Sequence, residues 1–349
     1  MSSLVFTPGS PAALGYRMPA EWEPHAATWL SWPRNEQSWP GNFGPIPAVW
    51  AQLAQTLSAH EQVHILAGGE AVLAQARQMC GGNSRITIHD VLTNDAWMRD
   101  HGPMFLVGPP GSPQVLIDWE YNAWGGKYPP FDHDNKVPAF VADYLKCRRF
   151  TAGIILEGGA VDSNGQGSLL TSEQCLLNEN RNPQLDRAQI ERYVCDYTAA
   201  RNIIWLGEGI VGDDTDGHID ELARFVGPRT VVAAVEPDTS DPNHAPLADN
   251  WRRLELARDE QGRSLELVPL PLPGPLFYEG QQMPGCYCNF YIANNVVIVP
   301  QFDDPQDRVA LETLARCFPD RQVIGQRARE LVWGLGAFHC ITQQQPRQM

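Results

Sequence analysis

A recurring rhythm limits what this chain can fold into. A helical stretch, a short apolar strand and a polar loop follow one another about five times, at intervals of roughly 50–70 residues. Helical spacing of apolar residues marks 46–60, where Val49, Trp50, Leu53 and Leu57 share a face, and then 70–80, 137–147, 187–199, 249–259 and 308–317. Strand-like runs lie at 27–32, 63–67, 86–88, 154–156, 203–206, 222–226, 265–270, 296–299 and 323–324. Residues 108–114, 123–135 and 280–285 read as loops. This alternation predicts an α/β protein, built either as a repeat architecture or as a doubly wound sheet. No G-x-G-x-x-G turn and no G-x-x-x-x-G-K-[ST] loop is present, so nucleotide binding has no support. No low-complexity linker divides the chain, which predicts a single domain over 1–349, with 1–16 as a loose lead-in.

The net charge of −15 argues against nucleic-acid and anionic-membrane partners and fits a small cationic one. Eight cysteines without framework spacing, in a chain long enough to bury a core, predict reduced thiols and a cytoplasmic location. The opening M-S-S-L-V-F-T-P-G-S has no basic segment followed by an apolar one, so no secretory leader is expected. No apolar run approaches the ~20 residues of a membrane span. The oligomeric state stays open, a homo-oligomer included.

Chemistry-bearing residues gather in the polar motifs. Cys340 follows a glycine-rich turn, G-L-G-A-F-H-C, where a thiol can come close to a ligand. Asp100, Glu157, His218 and Asp220 each stand in a short polar motif after an apolar run. His218 and Asp220 are two residues apart, which on a strand would point both into one cavity. A buried structural cysteine, a salt-bridged Asp100, a turn-capping Glu157 and a core histidine are the ordinary uses of these residues. Three carboxylates around a thiol make sense together if a cation belongs between them, because alone they would oppose a thiolate. A guanidinium is planar, permanently charged and able to pair with carboxylates in forks, leaving its central carbon open to sulfur. Zinc held by His218, Asp220, His339 and Cys340 is the alternative use, at an unfamiliar spacing. The acidic run Asp213, Asp214 and Asp216 would suit an amine tail, and Trp22 between two glutamates could line a mouth.

The stretches M-P-A-E-W-E-P-H, N-D-A-W-M-R-D-H-G-P, L-E-G-G-A-V-D-S-N-G, D-D-T-D-G-H-I-D and H-C-I-T-Q-Q-Q-P span nearly the whole chain. In that order they resemble the agmatine deiminase family, of the guanidine-modifying pentein superfamily; the related bacterial peptidyl-arginine deiminases share the catalytic set. The resemblance implies a pentein fold, a five-bladed α/β propeller with pseudo-fivefold symmetry and the site on its axis. It implies Cys340 as covalent nucleophile, Asp100 and Asp220 as guanidinium holders, His218 as general acid/base with Glu157 beside it, and Trp97 as a pocket wall. Asp214 and Asp216 would meet the substrate tail. No metal or organic cofactor is implied. Where the family usually reads G-G-G-N-[IL]-H-C, this chain has Leu335, Ala337 and Phe338, expected at the cavity wall, and His101 replaces a small hydroxyl residue. Other guanidines (peptidyl-arginine, arginine derivatives) remain alternative substrates. A non-catalytic guanidine-binding protein is argued against by the intact five, and a Cys–His amide hydrolase would need oxyanion donors instead of clustered carboxylates.

Overall fold

A computed structural model describes residues 5–348. The first four residues of the expected lead-in lie outside that range. From Thr7 the segment docks on the fold, with its backbone N–H and hydroxyl donating to the Asp196 carboxylate at 2.8 and 2.6 Å.

The described residues form five sheets of one design and a separate hairpin. In each sheet an antiparallel pair is extended by a parallel strand. Met104–Leu106, Val115–Glu120 and Arg148–Ile155 make one. Asp162–Ser163, Ser168–Ser172 and Asn202–Leu206 make the next. Ala223–Phe225, Thr230–Val235 and Glu266–Pro271 follow, and then Tyr291–Ala293, Val296–Gln301 and Gln322–Arg327. The fifth joins the two ends of the chain: Thr342–Pro346 pairs antiparallel with His25–Ser31, which pairs parallel with Gln62–Leu66 and onward to Ile86–His89. Six separate sheets exclude the doubly wound alternative, whose strands would share one continuous sheet.

Each parallel step needs a crossover, and the helices supply it. Ile46–Ser58 is the first such crossover and buries Trp50, Leu53 and Leu57 as their spacing predicts, while Val49 is half-buried. Arg187–Thr198 starts at a capping box, Asp186 with Gln189, an arrangement legible as D-x-x-Q and stabilising by about 1 kcal/mol.

Two expectations need correction. The helix expected at 249–259 runs His244–Leu256. Pro246 lies in its first turn, where a missing N–H is tolerated, and Asp259 instead accepts the N–H groups of Gln261 and Arg263 in a following turn. Within 280–285, Gln281–Met283 pairs with Leu276–Tyr278 across a two-residue turn at Glu279 and Gly280, both at positive φ. The polar run 342–345 is a buried strand. Its amides replace apolar packing: Gln343 and Gln344 each accept from Arg99 Nη1, at 2.8 and 2.7 Å, and Gln345 accepts from Trp29 Nε1 at 2.9 Å.

Candidate active site

Cys340 sits just before the closing strand and is buried, 5 % exposed. Asn289 builds its loop. The Asn289 amide oxygen accepts the N–H groups of Ala337, His339 and Cys340 at 3.0–3.2 Å, while its amide nitrogen donates to Cys340 Sγ at 2.9 Å. The glycines ahead of Cys340 make room for this chain's own tryptophans. A Cβ on Gly334 would meet the Trp39 ring at 2.6 Å, and one on Gly336 would meet Trp97 at 2.8 Å and Cys340 Sγ at 3.1 Å. Trp39 and Trp97 stack with centroids 5.4 Å apart.

The other four residues converge on the thiol. Asp220 Oδ2 is 3.5 Å from Cys340 Sγ and accepts from His339 Nδ1 at 2.6 Å, leaving Oδ1 without a partner among the described residues. Asp100 is held by Trp124 Nε1 at 3.0 Å and by the Gly159 N–H at 2.9 Å. His218 Nδ1 lies 3.7 Å from Asp100 Oδ1 and its Nε2 4.0 Å from Glu157 Oε2. Glu157 Oε1 accepts from Arg181 Nε at 2.6 Å, and Oε2 has no partner among the described residues. His218 and Asp220 do share a site, but not through strand alternation: His218 precedes a short 3-10 turn, Ile219–Glu221, that swings both inward. Gly159 stands at the centre. A Cβ there would meet His218 Nδ1 at 2.5 Å, Asp100 Oδ1 at 2.8 Å and Asp220 Oδ2 at 3.2 Å.

The charges are strongly coupled. Burial pushes the Cys340 thiol well above its usual range, and the charges of Asp220, Glu221 and Asp100 push it further, against the Asn289 hydrogen bond. Burial also raises Asp100, with Asp220 and Glu157 adding to it while His218 opposes. Burial would depress His218, yet Asp100, Cys175 and Glu157 together hold it well above the ordinary histidine value. For Asp220 burial is again the largest single effect and again loses: the His339 hydrogen bond and charge, with His218 and Arg224, hold its carboxyl low. Both shifts favour the protonated forms, thiol on Cys340 and imidazolium on His218.

Cys340 and Asp100 line a cavity of about 320 Å³ whose wall includes Trp97, Trp124, Asp214 and Tyr278. Asp216 is elsewhere. Its two oxygens take Lys127 at 2.8 Å and Arg181 at 2.7 Å, so it braces the site through ion pairs and lines no part of the cavity. Leu335 lines the cavity at positive φ, whereas Ala337 and Phe338 are buried in the main core and differ from the family pattern away from the wall. Trp22 is also absent from the wall and packs half-buried on that core. His101 is buried against Ser31, at 2.9 Å. The zinc alternative loses His339, whose Nδ1 is on Asp220 and whose Nε2 is on Glu21 at 2.8 Å.

Residues missed from sequence are the buried supports. Glu21 joins His339, Arg224 at 2.9 Å and the Ile292 N–H at 2.7 Å, and despite burial Arg224 and His339 hold its carboxyl well below the usual range. Asn289, Arg181 and Trp124 were missed with it. The only signal for Glu21 was its place inside M-P-A-E-W-E-P-H, and for Arg181 none.

Residues 17–346 match the description of the Porphyromonas-type peptidyl-arginine deiminase family. An agmatine deiminase of Pseudomonas aeruginosa (strain LESB58) is 40% identical over 361 aligned residues, covering 97% of each chain. Among solved structures, agmatine deiminase of Enterococcus faecalis superposes with a TM-score of 0.92 at 33% identity, covering 99% of this chain and 100% of that one. Agmatine deiminase of C. jejuni, in a cysteine-to-serine form with substrate bound, superposes with a TM-score of 0.89 at 29% identity, covering 99% and 100%.

Proposed function

This chain belongs to the Porphyromonas-type peptidyl-arginine deiminase family, and from that premise we propose that it is an agmatine deiminase, converting agmatine and water to N-carbamoylputrescine and ammonia. The observation that carries the substrate is the lining of the cavity. It presents Asp95, Asp100, Asp214 and Glu279 and, among the described residues, no arginine or lysine. A guanidinium at one end and an ammonium at the other suit such a wall. The carboxylate of free arginine would find no cationic partner there.

The roles follow from the geometry. Asp220 Oδ1 and Glu157 Oε2 are buried oxygens with an unused acceptor each, and with Asp100 they take the guanidinium nitrogens in charge-assisted hydrogen bonds. The incoming cation offsets the charges of Asp220, Glu221 and Asp100 that oppose the thiolate, so substrate binding itself lowers the Cys340 pKa and the thiol proton leaves to solvent. Sulfur then adds to the guanidinium carbon. His218 gives its proton to the leaving nitrogen, ammonia departs and an amidino-thioether remains on Cys340. His218, now neutral, takes a proton from water, whose attack releases the ureido product and frees the thiol. No metal or organic cofactor enters these steps. Asn289 positions the sulfur through its amide, and Trp97 walls the cavity.

The five like sheets, with the chain ends joined in one of them, support closure as a five-bladed propeller around the site, formed by one domain. Free buried thiols at Cys175, Cys286, Cys288 and Cys340 fit a reducing compartment, and we place the enzyme in the cytoplasm. Ammonia release from agmatine, arginine, a blocked arginine and an arginine peptide tests the substrate. Agmatine should lead by a hundredfold or more in kcat/KM, on the order expected when a charged group is left unpaired. A preference for the peptide would overturn the substrate and leave the chemistry standing.

A further inference from the structure

His218 has a second set of neighbours. Its Nδ1 faces Asp100, its Nε2 faces Glu157, and Cys175 closes a third corner. One ligand atom from each of Glu157, Cys175 and His218 lies within 4.8 Å of the others, and all three side chains are buried. Cys175 belongs to the turn Glu173–Leu176, whose Ser172 cap takes the Cys175 N–H at 3.2 Å and donates to the carbonyl of Gly217, the residue before His218. The thiol and the imidazole are thus pinned to one framework. Arg181 fixes Glu157 by Oε1, which leaves Oε2 and both nitrogens of His218 without hydrogen-bond partners among the described residues.

We propose that Glu157, Cys175 and His218 form a binding site for one thiophilic divalent cation of the Zn²⁺ type, and that its occupation arrests turnover by engaging the lone pair His218 needs to move protons. Thiolate sulfur, imidazole nitrogen and carboxylate oxygen are a zinc donor set, and a water completes four-coordination. Ligand atoms in such a centre stand about 3.4 Å apart. The 4.0 Å between Nε2 and Oε2 in the free protein has to shorten by about 0.6 Å on binding. Binding expels the thiol proton and the imidazolium proton to solvent. One thiolate and one carboxylate then balance the charge of the ion, and Arg181 remains on Oε1. Access runs through the cavity, whose inner end reaches Asp100, 3.7 Å from His218. The arrest of turnover rests on His218 being the acid/base; the binding of the ion does not.

Zn²⁺ titrated into the wild-type enzyme should stop ammonia release, and EDTA should restore it. Cys175→Ser should need at least about tenfold more Zn²⁺ for the same fractional loss, measured against its own uninhibited rate. Binding is read separately from chemistry in Cys340→Ala, where added Co²⁺ should give thiolate charge-transfer absorption that vanishes when Cys175→Ser is combined with it. If the double variant fails to fold, Zn K-edge absorption of Cys340→Ala decides, with one sulfur at about 2.3 Å expected. Absence of a metal–sulfur signal in Cys340→Ala, or undiminished zinc inhibition in Cys175→Ser, overturns the site. A cobalt band with undisturbed turnover keeps the site and overturns the role of His218.

Discussion

Two regions of this molecule bury histidines, to opposite ends. In the cavity, His218 stands 3.7 Å from one carboxylate and 4.0 Å from another. At the far end of the chain-closing sheet, His64 and His89 bond each other at 2.9 Å, and Trp29 stacks on His64 with centroids 4.2 Å apart. Tyr144 meets both rings edge-on, and Phe140 meets His89 in the same way. Burial lowers the histidine pKa in both places. Among aromatic rings nothing opposes it, and His64 falls to about 4, with the His89 charge adding to the effect. Among carboxylates the opposing charges win, and His218 rises well above its ordinary value. The neighbours within about 4 Å, and not burial as such, decide which histidine carries a proton at neutral pH.

The sharpest test of the carboxylate region is its nucleophile. Cys340→Ser should abolish turnover in a folded protein, and intact mass after trapping wild-type enzyme with substrate should place an adduct on Cys340. Full activity in Cys340→Ala would end the covalent mechanism. Next comes the histidine itself. General acid–base catalysis contributes ~10²–10⁴-fold and acts in two steps of the proposed mechanism, so His218→Ala should lose several powers of ten in kcat. A loss below tenfold would make the two histidine environments functionally equivalent and break the comparison. Gly159→Ala probes the crowding that brings the groups together. The added Cβ meets His218 Nδ1 and Asp100 Oδ1 at 2.5 and 2.8 Å, so kcat/KM should fall about a hundredfold. An unchanged rate would show that the groups part freely.

The aromatic region is tested by acid. His64 has its folded pKa lowered, so the unfolded chain binds a proton the folded one refuses. Stability is full above the unfolded value near 6.5 and falls as pH drops toward about 4, by about 3 kcal/mol at most. His64→Leu should show a smaller drop in melting temperature between pH 7 and pH 4.5 than wild type. An equal drop would move the acid sensitivity to the carboxylates. The smallest effect is at the rim of the carboxylate region. Asp214→Asn should raise the agmatine KM and relax discrimination against arginine by about tenfold, the worth of one partly screened charge. An unchanged agmatine/arginine ratio would take the tail site off this loop.

How far the fold could be read from sequence depended on periodicity. Helices with apolar residues on one face, such as Ile46–Ser58 and Glu70–Cys80, stood out to within a residue or two of their ends. Thr342–Pro346 did not, because its buried side chains are amides paired with Arg99, Trp29, Gln114 and the Pro103 carbonyl, and no apolar alternation marks them. Asp216 was misread for a related reason. Its acidic run looked like a cation wall, but an ion pair with Arg181, 35 residues earlier, is invisible in a linear string.

The sequence by itself determined which groups could do the chemistry: one thiol after a glycine-rich turn, three carboxylates and a histidine, each in a motif local enough to be read. Tertiary structure alone decided what those groups are. Asn289 is 51 residues from the sulfur it contacts, and Glu21 is 318 residues from His339. Such contacts form only where separate sheets meet, so they leave no periodic trace along the chain. Yet Asn289 and His339 bear directly on the titration of Cys340 and Asp220, because a buried group in a low-dielectric interior takes its protonation state from the charges and hydrogen bonds beside it as well as from its own residue type.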